Sequence, residues 1–267
     1  MSKNERLGII GGGNLGISIA EGLLAAKYIQ PSNLIITRRK ISLLDEFKAQ
    51  GIITSADNAD AVNNARIVVL AVKPKQVAEV LAPLKGNWQL GQILVSVVTG
   101  VTIAELQELV GSNVSVMRAM PNTAIAIRES MTCIAGKNAA KDQVQEIVRL
   151  FDQLGKTVVI EEELMEASTV LGACGIAYAL RFIRAATQGG IEIGFDSNTA
   201  LLIASQTAKG AAALLLENGQ HPEREIDKVT TPQGCTIVGL NEMEHNGFSS
   251  ALVKGILASH KKIAKIH

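Results

Sequence analysis

The amino-acid sequence predicts an α/β amino-terminal half joined to an all-helical carboxy-terminal half. Three observations carry that reading. Short β-branched runs alternate with amphipathic stretches over about the first 160 residues, a glycine-rich turn follows the first run directly, and Ala- and Leu-rich segments fill the remainder.

The strand candidates are 7–10, 33–37, 67–72, 93–98, 114–117, 131–135 and 157–160. Several are continuously apolar rather than alternating, as strands covered on both faces are. Helical patterns lie between them: Leu15, Ile19, Leu23 and Ala26 share one face, and Val144, Ile147, Val148 and Phe151 share another. Strand and helix in turn imply a parallel sheet with right-handed crossovers. Beyond, 163–189, 197–218, 222–229, 236–246 and 248–264 read as helices. Asp196-Ser197-Asn198 offers a cap, Asn218-Gly219 a stop and Gly247 a break. The change of character sets domains of 1–162 and 163–267. The later helices are apolar on too many faces for an isolated bundle, so a homo-oligomer of at least two copies is expected.

Composition excludes several function classes. Of 267 residues, 26 are Lys or Arg and 25 Asp or Glu, a net charge of +1 that gives no field for nucleic acid. Aromatic residues are 3%, too few for base-stacking platforms. Cys133, Cys174 and Cys235 lie far apart without a C-x-x-C spacing, and their odd number closes no disulfide framework, which favours a reducing, cytoplasmic setting. Each is expected to be a small buried hydrophobe. His221, His245, His260 and His267 lack metal-ligand spacing, so no metal is expected and surface or capping roles are. Lys254, Lys261, Lys262 and Lys265 read as a solvated helix face. The start, Met1 to Arg6, is polar, and Gly11-Gly12-Gly13 breaks the apolar stretch behind it, unlike a signal peptide. No window reaches about 18 uninterrupted apolar residues, so no membrane partner is expected.

The chemistry begins at Gly11-Gly12-Gly13-Asn14-Leu15-Gly16, a G-x-G-x-x-G between strand and helix. Gly11 permits the tight turn, Gly13 lets backbone approach a pyrophosphate, and Gly16 lets helix pack on strand. Helical N–H groups from Asn14 and Leu15 onward then face the phosphates. This is the signature of a Rossmann domain. An NAD site would place Asp or Glu at the end of the second strand. Here stands Thr37-Arg38-Arg39-Lys40. A hydroxyl and three cations suit a 2′-phosphate, so NADPH is the expected cofactor, with NADH possible.

Three further segments are distinctive: Ala71-Val72-Lys73-Pro74, Arg118-Ala119-Met120-Pro121-Asn122-Thr123, and the run from Val229 through Thr231, Pro232, Gln233, Gly234 and Cys235 to Thr236. In this order and spacing, and over essentially the whole chain, the set resembles the pyrroline-5-carboxylate reductases. The resemblance implies a Rossmann domain followed by an all-helical dimerisation domain, and NAD(P)H-dependent reduction of the cyclic imino acid 1-pyrroline-5-carboxylate to L-proline. It implies that Asn58 and Val72-Lys73-Pro74 line the ribose and nicotinamide side of the cofactor, and that Met120-Pro121-Asn122 borders the hydride-transfer site. It also gives Thr236 a contact with the substrate nitrogen.

The segment around Thr231 and Thr236 has a physical reading of its own. Hydroxyls, backbone N–H groups and a positive helix end form a site for a small carboxylate. An ordinary helix cap uses the same residues; the resemblance favours the carboxylate. The candidate catalytic set is Thr231, Gly234, Cys235, Thr236 and Asn122. Reducing a protonated C=N bond develops no oxyanion, so placement of hydride and ring carbon is the main demand and no general acid is named. A 3-hydroxyacid dehydrogenase is the architectural rival, and it uses a lysine on the long second-domain helix. Residues 172–180 contain none. A reductase of another cyclic imine is a second rival, and a non-catalytic NADPH-binding sensor a third. Both are suggested by departures from the family pattern at Ala124, Cys174-Gly175-Ile176 and Gln233. Tyr178 is expected to pack between helices.

Overall fold

The structure is a computed structural model and describes residues 5–263. Met1 to Asn4, Lys265 and His267, all weighed in the sequence, lie outside the described residues. The chain divides into two compact units, one running to Cys174 and one spanning Gly175–Lys261.

In the first unit the elements are β1 Leu7–Ile10, α1 Asn14–Ala25, β2 Leu34–Thr37, α2 Asp45–Ala49, β3 Ile53–Ser55, α3 Asn58–Asn64, β4 Ile67–Leu70, α4 Val77–Leu81, β5 Ile93–Ser96, α5 Ile103–Val110, β6 Ser115–Met120, β7 Ser130–Ala135, α6 Lys141–Phe151, β8 Gly155–Val159 and α7 Met165–Ser168. The eight strands form one sheet in the order β3-β2-β1-β4-β5-β6-β7-β8. Strands β1, β2, β4 and β5 are buried along their whole length, which is why their sequences run apolar without alternation. One core packs α1 and α6 on the sheet through Ile19, Leu23, Ile147 and Phe151; the other packs α3, α4 and α5 through Val62, Leu81 and Leu106.

Two features depart from the sequence reading. Strand β3 was not expected: it is three residues long, at the sheet edge, and none of its side chains is buried, so it leaves no apolar run to read. The sheet is also not wholly parallel, because β6 pairs antiparallel with β7. Only the short 3-10 turn Thr123–Ile127, ended by Arg128 at φ 63°, joins them. That is too short for the crossover a parallel pair requires.

Past α7 the chain runs through a π-helical segment, Thr169–Cys174, into the second unit. There α8 Gly175–Glu192, α9 Ser197–Asn218, α10 Pro222–Lys228, α11 Cys235–His245 and α12 Phe248–Ile263 follow, close to the expected segments. Asp196 caps α9, accepting from the N–H groups of Asn198 and Thr199. Gly219 ends it in the left-handed conformation, and Gly247, at φ 77°, separates the last two helices. Tyr178 packs as expected, its hydroxyl 2.7 Å from Ser259 Oγ, and Phe182 meets Phe248 edge-on. Few side chains of this unit are buried; Leu202 is 69% and Ile193 78% exposed. Glu162–Glu192 and Ser197–Asn218 reach the length and mean hydropathy of a membrane span, and little of either is buried within one chain.

Candidate functional site

A cleft of about 590 Å³ opens where the carboxyl ends of β1, β2 and β4 meet, the position at which open α/β sheets hold ligands. The glycine turn forms its floor. The N–H groups of Gly11 and Gly12 donate to the Thr37 carbonyl, at 3.2 and 2.8 Å, pinning the turn to the end of β2. Gly11 has φ +107°, and a Cβ there would stand 2.4 Å from the Ala71 carbonyl oxygen. A Cβ on Gly16 would stand 2.2 Å from the Gly11 oxygen. Around Gly13 there is nothing within 4 Å of that position. Two glycines therefore serve packing, while the third faces open space in the cleft.

Helix α1 begins at Asn14 and Leu15 on this turn, and its N-cap, Gly13, provides no side-chain bond. Elsewhere Asp57, Thr102, Asp196 and His221 cap their helices with side chains. The uncapped N–H groups and partial positive charge of α1 suit an anion.

The rim carries Arg38, Arg39, Lys40 and Lys73. Arg38 Nη1 donates to the Gly12 carbonyl at 2.6 Å, which fixes the side chain over the turn. Arg39 and Lys40 are exposed. Thr37 is fully buried and its hydroxyl donates to Asn58 Oδ1 at 2.5 Å. With its proton so engaged, Thr37 acts on the cleft by orienting Asn58. Val72 lines the cleft beside Lys73, and Pro74 opens the 3-10 turn that follows. Sequence reasoning missed the wall from the α4 region, Gln76, Glu79, Val80 and Pro83, because those residues form no motif.

Met120 and Pro121 are buried and do not line this cleft. Met120 packs with Ala135 and Met165. Asn122 caps the 3-10 turn through Oδ1, accepting from the Ala124 N–H at 3.0 Å. Its strand neighbour Arg118 is 2% exposed, lying 3.4 Å from Glu162 and 3.9 Å from Glu166. Glu162 also accepts the Ile103 N–H at 2.6 Å, at the start of α5. The lone charge in an apolar strand was the signal for this buried ion cluster.

In the second unit, residues 231–234 form a turn in which the Gly234 N–H donates to the Thr231 carbonyl at 2.9 Å. Gln233 occupies the left-handed region at φ 59°. A Cβ on Gly234 would meet Thr231 Oγ1 at 2.5 Å, so the hydroxyl lies against bare backbone. Gly234 is the N-cap of α11 and makes no side-chain bond. Like α1, this helix starts with its N–H groups uncapped by any side chain. Thr236 is partly exposed in the first turn. Cys235 is exposed and Cys174 half-buried, against the expectation of buried hydrophobes; a first-turn side chain points off the helix rather than into a core. Cys133 is buried as expected, and burial pushes its thiol up from the ordinary value.

The family model for pyrroline-5-carboxylate reductase dimerisation matches residues 162–266, and that for coenzyme F420-dependent NADP oxidoreductases matches 6–100. Pyrroline-5-carboxylate reductase 2 of Dictyostelium discoideum is 41% identical over 99% of this chain and 94% of its own length. The chain belongs to the pyrroline-5-carboxylate reductase family. Pyrroline-5-carboxylate reductase 1 of the same organism is 46% identical over 97% of the chain, which spans 49% of that relative's length. The solved pyrroline-5-carboxylate reductase of Coxiella burnetii has a TM-score of 0.92 at 29% identity, covering 98% of both chains. Pyrroline carboxylate reductase of Plasmodium falciparum, solved with NADP bound, has a TM-score of 0.86 at 27% identity, over 98% of this chain and 97% of that one. The family's dimerisation region is the stretch whose helices expose so much apolar surface.

Proposed function

We infer that the chain reduces 1-pyrroline-5-carboxylate to L-proline with NADPH, as a homo-oligomer of at least two copies. The observation that carries the reading is the uncapped, open glycine cradle with its cationic rim, in a chain of this family. NADPH supplies the hydride when bound. Gly13 and the N–H groups of α1 from Asn14 and Leu15 would hold its pyrophosphate, Arg38 and Arg39 its 2′-phosphate, and Asn58, Val72, Lys73 and Pro74 the ribose and nicotinamide side. Met120 and Pro121 lead into Asn122 in the segment that would border the hydride-transfer site.

For the substrate, Thr231 presents a hydroxyl and Cys235 a backbone donor to the carboxylate at the mouth of α11, Gly234, whose N–H is held by the Thr231 carbonyl, leaves the approach bare of a side chain, and Thr236 meets the ring nitrogen. The imine enters protonated, so hydride reaches an already electrophilic carbon and placement provides most of the rate. No side chain need act as a general acid. Gln233 adds a side chain beside the carboxylate donors and so belongs among the determinants of which cyclic imine fits. Free cysteines agree with a reducing compartment, and the cytoplasm is the setting we assign.

The test is purified protein with 1-pyrroline-5-carboxylate, other cyclic imines and either NADPH or NADH. Oxidation of NADPH with the five-membered imine, favoured over NADH, is expected; oxidation of neither cofactor with any imine contradicts the reading.

A further inference from the structure

We infer that Thr37 is a positioning residue for cofactor selectivity: its buried hydroxyl fixes which end of the Asn58 amide faces the cleft, and so leaves the end of β2 a donor site suited to a 2′-phosphate. The inference rests on Arg38 and Arg39 holding that phosphate. Thr37 is fully buried, and its Oγ1 donates to Asn58 Oδ1 at 2.5 Å. Asn58 is half-buried, opens α3 and lines the cleft. With Oδ1 engaged, Nδ2 is the end of the amide left to meet a ligand, and an amide nitrogen only donates.

The same polarity runs through the neighbouring groups. The Thr37 carbonyl accepts the N–H groups of Gly11 and Gly12, and the Gly12 carbonyl accepts Arg38 Nη1 at 2.6 Å. The Ser55 carbonyl, at the end of β3, accepts the Arg38 N–H at 3.0 Å, and Asp57 Oδ1 accepts the Ala59 N–H at 2.9 Å. Glu79 also lines the cleft, but from α4. These acceptors near the end of β2 are thus engaged by the scaffold, while Asn58 Nδ2, the rest of the Arg38 fork, Arg39 and Lys40 offer donors. In an NAD site the ribose 2′-hydroxyl donates to a carboxylate at this strand end; a 2′-phosphate brings acceptor oxygens instead. Without the Thr37 hydroxyl, the two orientations of the Asn58 amide, which have nearly the same shape, compete. The one that turns Oδ1 to the cleft sets an acceptor against the phosphate.

The test titrates the full chain with adenosine 2′,5′-bisphosphate and with 5′-AMP in a calorimeter, so it needs no turnover. The wild-type protein should bind the bisphosphate at least about tenfold more tightly, the worth of one charge-assisted hydrogen bond. Thr37→Val removes the hydroxyl. It should weaken the bisphosphate about threefold to tenfold, as the loss of one neutral hydrogen bond does, and hold 5′-AMP within about twofold. Thr37→Ser should restore the wild-type ratio. Asn58→Asp keeps size and an oxygen for the Thr37 hydroxyl but turns the donor toward the cleft into a charged acceptor. It should weaken the bisphosphate by roughly tenfold to a hundredfold and erase most of the preference. Equal weakening of both ligands by Thr37→Val, the mark of a merely loosened strand end, overturns the inference. So does a serine variant that fails to restore the ratio, and so does an unchanged ratio in Asn58→Asp, which decides the matter if Thr37→Val does not fold. Wild-type protein that binds both ligands equally overturns the 2′-phosphate assignment and this inference with it; a wild-type preference that survives both Thr37→Val and Asn58→Asp overturns this inference alone.

Discussion

At the scale of single residues the glycine turn separates two kinds of constraint. Gly16→Ala drives a Cβ into the Gly11 carbonyl, at 2.2 Å, and should cost about 1–3 kcal/mol in urea unfolding as an overpacking change. Gly13→Ala meets nothing within the protein; its unfolding should barely move while NADPH affinity drops about tenfold or more, measured by fluorescence titration. If both variants lose stability alike, the cradle is only a packed turn. Replacing Arg38 and Arg39 together by Ala removes charge-assisted donors worth roughly 1.5–3 kcal/mol each to a phosphate. The kcat/KM for NADPH should fall at least tenfold with that for NADH little changed; equal losses would contradict the assignment of the 2′-phosphate. These residues were legible because glycine spacing and a cationic strand end follow directly from phosphate chemistry. The engagement of Thr37 with Asn58, and of Asn122 with Gly172, was not, since it depends on contacts 21 and 50 residues apart in the chain.

At the scale of elements, side-chain caps secure the starts of α3, α5, α9 and α10, whereas α1 and α11 begin at a glycine that offers no such bond. Hydrogen bonding by Thr199, together with the Asn198 N–H, holds the Asp196 carboxyl below the usual carboxylate range. Its folded form is therefore depressed relative to the unfolded chain, so its contribution is present at neutral pH and is lost as pH falls through the folded value. Thermal melts from neutral to acidic pH should show Asp196→Asn, which still caps, losing less stability at the acid end than the parent. An identical acid slope would remove the cap from the account. Most helices and strands could be read from period and caps, as β1, β4, α9 and α12 show. What escaped was short or locally unsupported. The edge strand β3 buries no side chain, and the reversal of β7 is decided by the length of one turn rather than by any residue's preference.

At the scale of the whole molecule, the second unit leaves its apolar helices uncovered within one chain, and the family's dimerisation region spans it. Burying one leucine contributes about 1.5–3 kcal/mol, and a symmetric interface counts it twice. Leu202→Glu should thus shift the protein from dimer or larger assembly to monomer at micromolar concentration in light scattering, and an unchanged mass would place the interface elsewhere. The most direct test of the central claim follows the hydride itself. The purified chain is incubated with NADPH doubly deuterated at the nicotinamide C4 position and with 1-pyrroline-5-carboxylate, and the product is read by NMR. The account predicts L-proline carrying one deuterium on the ring carbon across the nitrogen from the carboxylate-bearing carbon. Proline without deuterium, or NADPH left unconsumed, would contradict it.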